Sequence, residues 1–336
     1  MRHGVWRGTP DRRAKVCVGA ICIGVGGVYC EGPMCGIAGL YCKSPALNEQ
    51  LGVHISAMLT QLSSRGPDSA GVAFYRHPAP PGSCKISLHS SSADADWNAV
   101  RRQLQSQFVG ATAPQVRDSH ATFVVEGGAA DVQAWLAANR PDLRLMSAGG
   151  SIEIFKLAGP PAEFVRRFAI GELDGSHALG HTRMATESRV TTEHSHPFST
   201  GLDLCLVHNG SLSNHNRLRR RLVGEGLSFQ TDNDSEVAAA YMTWCLREGA
   251  ALDDALESCL DALDGFYTFA VGTADGFAVL RDPIACKPAV MAETEDWVAM
   301  ASEYRAIAVL PGAEDAVTWE PEPGRVYSWR TTAGAT

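Results

Sequence analysis

Met34-Cys35-Gly36-Ile37-Ala38-Gly39-Leu40-Tyr41 is the stretch that decides this chain. A cysteine directly after a methionine can become a chain N-terminus, because its small side chain permits removal of that methionine. Its own α-amino group, with a pKa near 8, then lies beside the thiol as a built-in base. That pairing is one route to an activated nucleophile. Taken alone, Cys35 reads better as a buried structural cysteine. The sequence also places 34 residues in front of it.

Those leading residues form a separate question. Arg2, Arg7, Arg12, Arg13 and Lys15 precede the apolar run from Val16 to Tyr29, which superficially resembles a secretory signal. The run is too short to span a bilayer, is interrupted by four glycines and lacks a small-x-small cleavage site. Three readings stand open for residues 1–34: a start assigned too far upstream, a cleaved propeptide absent from the active chain, or a targeting segment.

The chain is acidic overall, with a net charge of −8 across all 336 residues. No basic block offers phosphate contacts, so nucleic acid is not an expected partner, and neither is a membrane. Ten cysteines show no CxxC pair and no metal-ligand spacing. Several sit in apolar runs, as Cys205 does, where a reduced cysteine is a small hydrophobe. This pattern reads as a reducing, cytoplasmic setting with no metal and no cofactor.

From Cys35 onward the pattern is antiparallel β with intervening helices. Gly36 to Tyr41 and Gly71 to Tyr75 read as buried strands, joined by a helix carrying Leu51, Ile55, Leu59 and Leu62. Ala178 to Thr182 and Leu204 to His208 read as strands ending in polar residues. Ser235 to Leu246 and Leu252 to Leu263 read as helices. Phe266 to Val271 pairs with Phe277 to Leu280 across Asp275-Gly276, and Pro288 to Glu293 with Trp297 to Ser302. The stretch 77–174 opens with Pro78-Ala79-Pro80-Pro81-Gly82 and a serine cluster. It then reads β-α-β-β over Ala121 to Val125, Asp131 to Ala138, Leu143 to Ser147 and Ser151 to Leu157. We take it as an inserted α+β subdomain within a main domain of 35–320, with 321–336 as a C-terminal tail.

Three further motifs carry chemistry. In Gly180-His181-Thr182-Arg183-Met184-Ala185-Thr186, the planar fork of Arg183 suits bidentate capture of a carboxylate. In His208-Asn209-Gly210, just past a strand, an asparagine amide and a glycine N–H aimed at one point make an oxyanion hole, although Asn-Gly is most often only a turn. In Thr231-Asp232-Asn233-Asp234-Ser235-Glu236, before a helix, Asp234 or Ser235 serves as an N-cap or Asp234 holds an ammonium. Nucleophile, oxyanion hole, carboxylate clamp and ammonium clamp together describe a site for an α-amino acid with a side-chain carbonyl. Glutamine fits. His181, His196 and His208 read as structural, hydrogen-bonded histidines, with no spacing that supports zinc.

The same motifs, with Arg65-Gly66-Pro67-Asp68-Ser69-Ala70-Gly71, resemble the class II glutamine amidotransferases, and the resemblance runs from Cys35 to about Arg305. It implies an N-terminal-nucleophile hydrolase fold: an αββα sandwich of two antiparallel sheets. It implies Cys35 and its amine as nucleophile and base, Asn209 and Gly210 as the oxyanion hole, and Arg183, Asp234 and Thr182 as binders of L-glutamine. Arg281-Asp282-Pro283-Ile284-Ala285-Cys286-Lys287-Pro288 and Ala301-Ser302-Glu303-Tyr304-Arg305-Ala306 are similar to the free-standing amidotransferase subunit of N-methylglutamate synthase and related complexes. That narrower likeness implies FMN-binding, glutamate-synthase-like synthase subunits as partners. Met184 and Glu187 stand where the glucosamine-phosphate synthase branch has tryptophan and histidine. A stand-alone amidase, and a regulatory or scaffold subunit whose nucleophile is blocked by residues 1–34, are the alternatives.

Overall fold

Both faces of the Gly36–Cys42 strand are apolar, and the period of two sends them into different cores. Ile37 and Tyr41 point one way, to meet Leu179, Val207, Phe277 and Met300. Ala38, Leu40 and Cys42 point the other way, onto Leu51, Ile55 and Leu59. A strand buried on both faces belongs in the middle of a layered structure, and that is where it lies. The computed structural model describes residues 35–185 and 189–330, and the backbone of 22–24 and 27–29.

The chain divides into two units, Met1–Pro33 and Met34–Thr336. In the first, Cys22–Gly24 pairs antiparallel with Gly27–Tyr29; the rest of the basic and apolar leader lies outside the described residues.

In the second unit, seven strands form one antiparallel sheet in the order Val317–Trp319, Val290–Glu293, Trp297–Ala301, Gly36–Cys42, His177–Arg183, Ser69–Tyr75 and Ile152–Ala158. The helix Leu51–Gln61 covers its outer face. Leu51, Ile55, Met58 and Leu59, spaced three and four apart, are fully buried, each contributing about 1.5–3 kcal/mol of burial. A second sheet of four strands runs Cys205–Leu212, Gly265–Thr273, Gly276–Arg281 and Val326–Arg330. The helices His215–Gly224, Asp234–Arg247 and Leu252–Ala262 cover it through Leu218, Val237, Met242, Leu256 and Cys259. Between the sheets lies the third core, which includes Ile37, Tyr75, Leu179, Val207, Phe277 and Met300. The layers are therefore α, β, β, α, as expected.

The insert is built differently from the sequence reading. Ser83–Ser90, Trp97–Gln107, Gln115–Arg117, His120–Glu126, Ala129–Asn139 and Leu143–Gly149 follow one another as β-α-β-β-α-β. The sheet order is Gln115–Arg117, His120–Glu126, Ser83–Ser90, Leu143–Gly149, the split βαβ arrangement. Its own core holds Ile86, Leu88, Val100, Leu104, Phe123 and Val132. The first strand and helix were hidden by serine-rich flanks, although Cys84, Ile86 and Leu88 do alternate with polar residues. Ile152–Ala158, expected in the insert, belongs to the main sheet beside Ser69–Tyr75. Its two faces, Ile152/Ile154 and Phe155/Leu157, are both consumed by main-domain cores. Val326–Arg330, expected in a tail, is an edge strand paired with Gly276–Arg281.

Candidate active site

Cys35 stands at the entry of the Gly36–Cys42 strand, and what surrounds it arrives from four directions. Its thiol points to the Met184 carbonyl at 3.8 Å. Its own carbonyl accepts hydrogen bonds from Asn209 Nδ2 and from Arg65 Nε, each at 3.1 Å. Burial pushes the Cys35 thiol up, opposed by the Met184 contact and by the charges of Arg183, Lys287 and Arg65. A thiol held high needs a base to become a nucleophile.

Arg183 ends the neighbouring strand His177–Arg183 and is buried. Its Nη1 donates to the Arg189 carbonyl at 3.0 Å. Burial lowers its pKa against the pull of Cys35, Asp68, Asp234 and Asp232, so three carboxylates and the thiol all face this guanidinium. Asp234 is the first residue of the helix Asp234–Arg247. Its Oδ2 accepts from the Leu212 backbone N–H at 2.9 Å, which ties the helix start to the second sheet. The N-cap is neither Asp234 nor Ser235: Asn233 Oδ1 accepts from Ser235 N at 2.8 Å. That frees Asp234 Oδ1 for a 3.3 Å bond from the Ser235 hydroxyl.

Asn209 and Gly210 lie inside the Cys205–Leu212 strand rather than past it. The strand continues because Gly210 takes φ +152, and a Cβ there would come 2.0 Å from the Phe266 carbonyl. Thr182 is placed elsewhere: its hydroxyl donates to the Leu62 carbonyl at 3.1 Å, closing the helix end onto the strand under Gly36.

This geometry now meets its relatives. A family model described as a glutamine amidotransferase domain matches residues 181–309. The glutamine amidotransferase-like protein GlxB of Rhizobium meliloti is 54% identical over 297 residues, covering 88% of this chain and 98% of that protein. The chain belongs to the class II glutamine amidotransferase family. An amidophosphoribosyltransferase of Archaeoglobus fulgidus is 34% identical over 143 residues, 42% of this chain and 31% of that one. The solved glutamine phosphoribosylpyrophosphate amidotransferase from B. subtilis, complexed with ADP and GMP, superposes with a TM-score of 0.55 at 21% identity. It covers 89% of this chain and 50% of that one, a likeness of fold.

Sequence reasoning gave no role to several residues that the amidotransferase brings to Cys35. Arg65 links the Cys35 carbonyl to Glu303 through a salt bridge, and Glu303 also pairs with Arg305. Ser302 brackets Ile37, two residues further on from Cys35: its hydroxyl accepts from Ile37 N at 2.9 Å and its N–H donates to Ile37 O at 3.0 Å. Asp68 accepts from Ala185 N at 2.8 Å. Lys287, whose carbonyl accepts from Arg281 Nη2 at 3.0 Å, adds positive charge near both Cys35 and His208. The signal was present, since the Arg65–Gly71 and Ala301–Ala306 motifs carried the family resemblance without being assigned a job.

Gly66 explains why the first of those motifs admits no side chain. An added Cβ would sit 2.3–2.4 Å from the Thr182 C and O and the Arg183 N atoms, all main chain. Gly66→Ala is expected to cost about 3 kcal/mol or more, because backbone cannot swing aside as a side-chain tip can. A denaturant midpoint matching that of the parent protein would show that the contact yields.

The histidines form a buried stack beneath the site. His181 Nε2 donates to the His208 carbonyl at 3.0 Å, and the His181 and His196 rings stack at 4.1 Å. His208 N donates to His196 Nδ1 at 3.3 Å, and His208 Nδ1 meets Ser235 Oγ at 2.8 Å. Among the described residues no group of three His, Cys, Asp or Glu side chains is arranged to hold a metal ion. Burial lowers His181 to about 3 and His177 to about 4. A histidine depressed in the fold gives stability that is complete above its unfolded pKa near 6.5 and is lost as pH falls. Each contributes about 1.4 kcal/mol of loss per pH unit between about 6.5 and its folded value. The amidotransferase should therefore lose stability steeply between about pH 6 and 4, and His177→Gln, if folded, should flatten that slope in urea titrations. An unchanged slope would remove His177 from the account.

Proposed function

We propose that the protein hydrolyses L-glutamine through a γ-glutamyl thioester on Cys35 and delivers the ammonia to a synthase partner. The observation that carries this reading is the convergence of Asn209 and Arg183, from two sheets, on Cys35, with Asp234 acting on Arg183 from a helix start. Asn209 has two amide protons. One is engaged by the Cys35 carbonyl, and the other is the donor for an oxyanion, with Gly210 N–H as the second. Arg183 takes the α-carboxylate and Asp234 the α-ammonium. Thr182, whose hydroxyl is committed to Leu62, is left out of the glutamine contacts.

In this mechanism the α-amine of Cys35 takes the thiol proton, and sulfur attacks the side-chain amide carbon. The tetrahedral oxyanion is held by Asn209 and Gly210, and the C–N bond breaks as the amine's proton goes to the leaving ammonia. Water, deprotonated by the same amine, then cleaves the thioester to glutamate. In the full chain that nitrogen is bound to Met34, so the active form begins at Cys35. A GlxB-like relative that this chain spans almost end to end supports a free-standing amidotransferase subunit. A glutamate-synthase-like complex, N-methylglutamate synthase among them, is the proposed acceptor.

The test compares the full chain with a chain starting at Cys35 in a glutaminase assay. Activity confined to the shorter chain is the expected result. Equal activity with residues 1–34 demonstrably attached by intact mass would rule out the amine as base. In the active form, Arg183→Lys and Asp234→Asn should each weaken glutamine use by about 2–5 kcal/mol, seen mostly as a raised KM. Labelling of Cys35 by a small neutral thiol reagent should persist. Unchanged glutamine saturation in both variants would remove the clamp assignment.

A further inference from the structure

Alternation along Ser83–Ser90 gives the insert's sheet one apolar face, Cys84, Ile86 and Leu88, and one polar face, Lys85, Ser87 and His89. The polar face is turned towards the main body and its groups are buried there. Lys85 is satisfied, with Nζ donating to Glu153 at 3.0 Å and to the Arg76 carbonyl. Others are not: His89 Nδ1, His120 Nε2 and Ser147 Oγ are buried without a hydrogen-bond partner. Buried polar groups left unpaired are rare and mark a missing partner.

Lys156 is the sharpest case. It is 3% exposed, and its ammonium lies 4.7 Å from the Phe198 ring with no hydrogen bond or salt bridge among the described residues. Burial lowers its pKa to about 8, with Glu236 and Glu193 pulling the other way. Neither carboxylate closes on it. Both oxygens of Glu236 are taken by the Gln230 and Thr231 N–H groups and the Thr231 hydroxyl.

The ammonium lies at a narrow recess of about 20 Å³ that adjoins a wider space. A cavity of about 370 Å³ separates the insert from the body, with Ser147, Leu145 and Met146 on one wall and Ser199, Gln230 and Glu236 on the other. A recess sharing five of those residues reaches Lys156. It is distinct from the site at Cys35. Lys156 is paired in register with Gly71, and Gly71 with His181. The His196 carbonyl lies over Gly71, 2.1 Å from where a Cβ would be, and so fills the space between.

We propose that this crevice binds a small aliphatic monocarboxylate, its carboxylate on Lys156 Nζ and its chain along Leu145 and Met146 towards Ser147. The lining of the cavity and its recess sets Lys156, Arg140 and Arg144 against Glu193 and Glu236, one positive charge in excess, which a single added negative charge balances. A phosphate dianion would meet both carboxylates. The apolar wall suits a short hydrocarbon chain better than a sugar. The ligand would bridge insert and body, with Glu193 and Phe198 at this crevice and Arg183 at the site of Cys35.

The test is calorimetric titration of the full chain with butanoate and, separately, inorganic phosphate. Butanoate should bind saturably at one equivalent, and phosphate should not bind. Lys156→Met should weaken butanoate about 10–100-fold, the loss expected for a hydrogen bond to a charged group. Binding should survive Arg183→Lys, which separates the crevice from the proposed glutamine carboxylate clamp. Should Lys156→Met not fold, Leu145→Trp, which fills the crevice from its wall, must weaken binding instead. Absence of saturable butanoate binding, unchanged affinity in the crevice variant that folds, loss of binding in Arg183→Lys, or equal binding of phosphate would each overturn the proposal.

Discussion

Cys35→Ala is expected to lower glutamine hydrolysis by about 10⁴–10⁶-fold, the range seen when a covalent nucleophile is deleted, while the fold stays intact. The structural side of that expectation rests on how little the thiol holds. Its polar contact is one long S–H donation to the Met184 carbonyl at 3.8 Å. The residue's backbone is fixed instead by Arg65 and Asn209 on its carbonyl, and Ile37 by Ser302. Losing the sulfur should change stability by less than about 1 kcal/mol. The measurement pairs a glutaminase assay with thermal unfolding of a chain starting at residue 35. Residual turnover within tenfold of the parent would place the nucleophile elsewhere. A collapsed melting temperature would mean that the thiol is structural after all.

Asn209→Ala carries the second large effect, about 10²–10³-fold in turnover, the usual loss for one oxyanion donor. The substitution also removes a hydrogen bond to the Cys35 carbonyl, but Arg65 Nε still donates to that oxygen at 3.1 Å. The acceptor is not orphaned, so the stability cost should be near 1 kcal/mol. This separation makes the variant informative: kcat should fall while KM stays within a few-fold. A matching rise in KM with kcat preserved would make Asn209 a substrate-positioning group and move the oxyanion hole to other donors.

Much of this architecture could be read from residue order. The two-faced apolar strand at Gly36–Cys42, the helical spacing of Leu51, Ile55 and Leu59, and the Asp275-Gly276 hairpin are local patterns, and local sterics and burial dictate them. The proposed nucleophile could be picked out too, because the methionine–cysteine order is itself the chemical fact. What could not be read was decided by long-range pairing. Ile152–Ala158 has the same alternation wherever it lies, and only its ladder with Ser69–Tyr75 assigns it to the main sheet. Asn209-Gly210 looks like a turn until Phe266–Tyr267 runs beside it and Gly210 bends to keep the strand going. The family resemblance implies Thr182 as a ligand contact, and the structure gives its hydroxyl to Leu62, 120 residues earlier.

The charge environment belongs wholly to the tertiary structure. Arg65, Lys287 and Arg183 come from three distant segments to face one thiol, and an interaction that falls with distance and burial has no signature in spacing along the chain. Sequence alone determined which residue types are available and the local shape of each element. Packing determined which of them share a site, because burial on folding, unlike periodicity, is a property of pairs far apart.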